Sequence, residues 1–231
     1  ADPASNEQAT LKLAFASCQD FERGYFNSYP HLIAEKPDLV IFLGDYIYEF
    51  APRRSSMRSH TGSWCISLSD YRKRHAQYKQ EAELQQAHAA CPWIVTWDDH
   101  EVQNDYAGIT QGSIGPQADF QKRRGSAYQA YYEHMPLKAS CMVEGLSGLS
   151  KGSELRIYDR YQFGKLASIS MLDTRQYRTN QVCTPGEQSG SAYVFPSSCR
   201  ELLDESRSLL GTRPEQWLDK ELGNSKGQIW N

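Results

Sequence analysis

Three short apolar runs punctuate the first hundred residues, and each one ends abruptly in polar side chains. Thr10–Ser17, T-L-K-L-A-F-A-S, predicts a first strand with Cys18 at its carboxyl end. Pro37–Gly44, P-D-L-V-I-F-L-G, is continuous and β-branched, the pattern of a strand buried on both faces. It runs into Asp45-Tyr46-Ile47-Tyr48-Glu49. Trp93–Trp97 repeats the theme after Pro92 and stops in Asp98-Asp99-His100-Glu101. Between the first two runs, Gly24–Glu35 carries Phe26, Tyr29, Leu32 and Ile33 at helical spacing. Between the second and third, Ser69–Ala90 repeats the helical pattern. Strand, helix, strand predicts βαβ units, hence a parallel sheet with right-handed crossovers. All three polar clusters then share one edge, where the sites of open α/β sheets lie.

The later chain is mixed. Asp119–His134 predicts a helix with Phe120, Tyr128, Tyr131 and Tyr132 on one side. Glu154–Phe163 and Lys165–Leu172 predict a hairpin about Gly164, ending in Asp173-Thr174-Arg175. Pro214–Leu222 predicts a last helix, and Lys226–Asn231 the opening of another strand. Arg53–Trp64 is basic, polar and aperiodic, an exposed loop at the rim of any substrate site. Gly108–Gly115 is rich in glycine but lacks the phosphate-loop pattern.

Composition narrows the class. A formal net charge of −3 supplies no basic field for nucleic acid. No apolar run approaches the roughly 20 residues of a membrane span. Six cysteines is a high count for a chain kept reduced, and points to a secreted or periplasmic setting. Cys183 and Cys199 flank a loop rich in Gly, Ser and Pro that a disulfide would staple. The start, Ala1-Asp2-Pro3-Ala4-Ser5, carries no secretory signal and resembles a mature N-terminus or an expression scar.

Four ionisable groups in a row at Asp98–Glu101 face water as a plain loop, or are paired, or hold metal. Cys18, by position, is a core residue, a disulfide partner, a nucleophile or a ligand. Two acidic strand ends with a thiol and Tyr48 favour a strongly Lewis-acidic, trivalent ion. Arg175 either contacts an anionic substrate or pairs with Asp173 or the loop.

F-A-S-C-Q, G-D-Y-I-Y-E, W-I-V-T-W-D-D-H-E-V-x-N-D-Y-A-G and L-D-T-R-Q-Y-R closely resemble the alkaline phosphatase D (PhoD-like) metallophosphatases, in order from about Leu11 to the end. The resemblance implies an α/β fold, a metallophosphoesterase-like sandwich of mixed β-sheets flanked by helices. It implies one catalytic domain over 1–231 that hydrolyses phosphomonoesters or phosphodiesters with a metal-activated hydroxide. Carried over residue by residue, Cys18 and Tyr48 bind Fe3+. Asp45 bridges to a second ion, Ca2+ in characterised members, and Asp99 binds that ion. His100 contacts the phosphate and assists the leaving group, Asn104 is an outer ligand or substrate contact, and Asp98 and Glu101 orient the rest.

The chain departs from the family where a G-D-x-H-type segment should add ligands, since all its histidines lie at or before His134. The expectation is a domain incomplete at its C-terminus, completed by a missing segment or a second chain. Two other readings stand beside the hydrolase: a thiol hydrolase with Cys18 as nucleophile and His100 as base, and an inactive fragment or binding module.

Overall fold

A computed structural model describes residues 10–149, 151–184, 190, 193–225, 227 and 229–230. The strands β1 (Leu13–Ala16), β2 (Leu39–Phe42) and β3 (Trp93–Val95) form a parallel sheet in the order β1-β2-β3. Leu13 pairs with Leu39, and Val40 with Trp93. All four residues of β2 are buried, because this central strand is covered on both faces. Side chains alternate along a strand, so the two faces receive different partners. Val40, Phe42, Trp93 and Val95 enter the large core with the helices, whereas Leu39, Ile41 and Ile94 meet Met171 in a smaller cluster.

The smaller cluster is closed by the antiparallel hairpin β4 (Asp159–Phe163) and β5 (Ala167–Met171), which turns at Gly164 with φ 53°. β4 begins five residues later than the apolar pattern predicts. Leu155 bridges Met142 instead, and both its backbone N and O bond the Gln176 amide. Trp230 makes a parallel bridge to Ala167. The rest of the expected final strand lies partly outside the described residues, as do part of the 184–198 loop and the first five residues.

Helix α1 (Ser28–Ala34) crosses from β1 to β2. The expected single helix over 69–90 is two, α2 (Leu68–Lys79) and α3 (Ala82–Ala90). Glu81 between them is extended, with φ −69° and ψ 121°, and its carboxylate binds Arg58 at 2.5 Å. The break lets α2 pack on α4 (Phe120–His134) while α3 packs on α1. Ser67 caps α2: Ser67 Oγ accepts from Asp70 N, and Asp70 Oδ2 accepts from Ser67 N. On α4, Phe120, Tyr128 and Tyr131 are buried but Tyr132 only half so. A short α5 (Gly145–Leu149) follows, and α6 (Thr212–Gly223) carries Pro214 in its first turn. Cys183 and Cys199 are disulfide-bonded, as their flanking of the loop predicts. No helix among the described residues is long and apolar enough to cross a membrane.

Candidate metal centre

The three strands deliver their polar ends to one place. Leu43 N bonds Ala16 O, Cys18 N bonds Gly44 O at 3.0 Å, and Gln19 N bonds Asp45 O at 3.1 Å. The parallel ladder therefore continues past β1 and β2 until Cys18 and Asp45 lie side by side. Both adopt the left-handed region, with φ of 55° and 56°. Such backbone costs on the order of 1 kcal/mol or more per non-glycine residue and recurs at functional sites. Gly44, at φ 106°, is held against the third strand end, where an added Cβ would lie 2.3 Å from Asp98 N.

Glu101 ties these ends together. Its fully buried carboxylate accepts from Asp45 N, Tyr46 N and Asp98 N at 3.2, 2.5 and 2.9 Å. Asp45 Oδ2 accepts from the Tyr48 hydroxyl at 3.1 Å, and Asp45 Oδ1 from His100 N at 3.4 Å. Asp105, also left-handed at φ 60°, donates its N–H to Asp99 Oδ2 at 2.6 Å. The Arg175 guanidinium reaches Asp98 at 2.5 Å and Asp99 at 3.6 Å, so it is engaged by the acidic loop.

His100 is fixed on three sides. Its Nδ1 donates to Glu49 Oε2 at 2.8 Å, leaving Nε2 as the free edge of the ring. Tyr48 stacks on it with centroids 4.2 Å apart, and Phe50 meets it edge-on at 5.0 Å. Glu49 also accepts Asn104 N at 2.8 Å, which holds Asn104 beside the histidine. Burial alone would lower the His100 pKa, but the Glu49 bond and charge, with Asp99 and Asp45, raise it to about 9.

Ligand atoms of Asp45, Asp99 and His100 all lie within 4.8 Å of one another. An open cavity of about 870 Å³ adjoins them, walled by Cys18, Tyr48, His100 and Asn104 and, further out, by Arg23 and Arg53. Arg175 is not part of that wall.

The donor set fits a metal. Burial, then Asp99 and Asp98, push the Asp45 carboxyl up to about 6, against the pull of His100. Burial and Asp45 push Glu101 to about 8. Carboxylates crowded until they resist ionisation are in deficit of positive charge, and a cation supplies it. The Cys18 thiol and Tyr48 phenol, both beside Asp45, add soft and hard anionic donors when deprotonated.

Residues 13–231 match the PhoD-like phosphatase family. The chain belongs to that family. It is 45% identical over 226 residues to alkaline phosphatase D of Bacillus subtilis (strain 168), an alignment covering 96% of this chain and 36% of that protein. A solved structure described as the structure of PhoD matches with a TM-score of 0.80 at 42% identity, over 96% of this chain and 40% of that one. The chain thus spans well under half the length of these relatives.

Two residues escaped the motif reading. Glu49 stood in the quoted G-D-Y-I-Y-E stretch but received no role, and Asp105 stood unassigned in N-D-Y-A-G. The available signal was an acid inside an apolar run, which burial obliges to find a partner.

Proposed function

We propose that this chain carries the catalytic half-site of a metal-dependent phosphoric ester hydrolase, acting on phosphomonoesters or phosphodiesters. The observation that carries the reading is the meeting of Asp45, Asp99 and His100 within 4.8 Å at the ends of two neighbouring strands. Cys18, Asp45 and Tyr48 would hold Fe3+, with Asp45 and Asp99 toward a second ion, Ca2+. When bound, these ions supply Lewis acidity and an activated water for in-line attack on phosphorus. The residues do the rest. His100, charged and aimed by Glu49, neutralises the phosphate and gives its Nε2 proton to the departing alkoxide. Asn104 borders the phosphate from the cavity wall. Asp98, Glu101 and Arg175 hold the loop in place. We infer this positioning work for Arg175 rather than substrate contact, because Asp98 and Asp99 already engage its guanidinium. Residues 1–231 would act within one catalytic domain, with the two sheets facing across Leu39, Ile41 and Met171 as part of a sandwich. The disulfide favours a secreted or periplasmic setting.

A thiol hydrolase needs a depressed cysteine pKa. Burial, then the charges of Asp45 and Asp98, raise that of Cys18, although Ser17 opposes them. The metal reading predicts iron by elemental count in purified full-length protein and a visible tyrosinate-to-iron band. Tyr48→Phe removes one oxygen. It should abolish the band and lower hydrolysis by about a hundredfold or more while the circular dichroism spectrum is kept. Full colour and full activity in Tyr48→Phe would overturn the ferric assignment. Comparing this chain with the full-length protein separates a competent site from a fragment that needs further residues.

A further inference from the structure

The buried Glu22 carboxylate gathers the basic loop after β2 against the cavity. Glu22, in a short 3-10 helix at Phe21–Arg23, accepts Arg53 N at 3.1 Å, Arg53 Nε at 2.8 Å and His60 N at 3.1 Å. Met57 N adds a bond to Glu22 O at 3.0 Å. The loop is thereby folded against the turn, and a second cavity of about 330 Å³ opens between them. Arg23 and Arg53 wall both this cavity and the large one beside His100, so the two are neighbours.

The charges along this groove are not equally occupied. Arg53 is spent on Asp20 and Glu22 and offsets one of their two charges. Arg23 keeps only a 3.5 Å pair with Asp20 and leaves 78% of its side chain exposed. Arg54 is exposed, and among the described residues its side chain has no ion-pair or hydrogen-bond partner. Two under-engaged guanidiniums therefore border the cavity that adjoins the one beside His100. Guanidinium forks suit phosphate and carboxylate oxygens.

We propose that this groove is a second anion subsite, and that the ester hydrolysed here carries a further anionic group, held by Arg23 and Arg54. The proposal rests on the phosphoester reading above. It makes Arg23 and Arg54 determinants of specificity, with no part in the chemical step.

Propyl phosphate and propane-1,3-diyl bisphosphate differ only in the second phosphate. With metal-loaded full-length protein, the bisphosphate should show about tenfold higher kcat/KM, mostly through KM. Arg23→Gln/Arg54→Gln should erase that preference and leave propyl phosphate within about twofold. Calorimetry with propylphosphonate and propane-1,3-bisphosphonate tests the same subsite without turnover. An equal affinity for the two phosphonates, or a preference that survives in the double variant, overturns the subsite. Arginine-dependent binding of the bisphosphonate, with neither ester hydrolysed and no turnover of the diester dipropyl phosphate, upholds the subsite and overturns the hydrolase reading instead.

Discussion

Glu49 shows how much of the site depends on one side chain that does not line the cavity. It is fully buried, and its two oxygens serve two different residues, His100 and Asn104. A carboxylate in that position fixes the histidine tautomer and stabilises the imidazolium. Glu49→Gln keeps the volume and removes the charge. The amide oxygen still accepts from Nδ1, but the amide nitrogen then faces Asn104 N, donor to donor. Hydrolysis should fall about 10- to 100-fold in the full-length protein, with a stability loss of roughly 1–3 kcal/mol from the donor left unpaired. The pH profile supplies the sharper readout. The raised pKa of His100, about 9, owes much to Glu49. The alkaline fall-off in rate should therefore move to lower pH in the variant. An unmoved alkaline limb would show that Glu49 only packs. The same logic explains why Glu49 was illegible in the motif: its partners lie 51 and 55 residues away, and only the chain path after β2 brings them together.

At the scale of elements, the sheet's polar edge depends on Gly44. Backbone from two strand ends meets there, so an alanine Cβ would sit 2.3 Å from Asp98 N and 2.6 Å from Trp97 C. Neither neighbour is a flexible tip that can move aside, and φ 106° is itself strained for any residue with a Cβ. Gly44→Ala should cost more than about 3 kcal/mol and lower the melting temperature by roughly 6 °C or more. Gly223→Ala, at the end of α6 with nothing within 4 Å, is the control and should be neutral or slightly stabilising. A Gly44→Ala protein as stable as the control would refute the close approach. The strand ends were readable because β2 is apolar without interruption and then stops, a pattern that follows from burial on both faces. The helical breaks were less so. Nothing local marks the extended backbone at Glu81, which is paired with Arg58 from a loop 23 residues away. The late start of β4 likewise depends on Gln176, which competes for Leu155 across 21 residues. Periodicity registers which residues are buried, while such boundaries are decided by long-range hydrogen bonds.

Across the whole molecule, the core between the sheet and α2 and α4 encloses polar groups that pH will test. His75 is fully buried, and neither ring nitrogen has a hydrogen-bond partner among the described residues. It stacks on His134 at 4.9 Å and lies against Tyr46 and Tyr131. Burial, then the charges of His134 and Lys79, holds its pKa well below 6.5. Above pH 6.5 the histidine is neutral in both folded and unfolded chains, and its full contribution is present. As pH falls below 6.5 the unfolded chain takes up a proton that the folded chain refuses, so stability drops by about 1.4 kcal/mol per pH unit. Asp45 and Glu101 act in the opposite sense over part of this window, since their folded pKa values are raised to about 6 and 8. The melting curve of the protein alone therefore mixes the two effects, and a variant separates them. His75→Phe keeps an aromatic ring of similar size and cannot charge. Between pH 6.5 and 5 the variant should gain about 2 kcal/mol on the parent, some 4–8 °C in melting temperature. The gain should vanish between pH 7 and 8, where His75 is neutral in both states. A melting-temperature difference that stays constant from pH 8 to pH 5 would mean that His75 is charged or solvated in the folded protein, contrary to its burial.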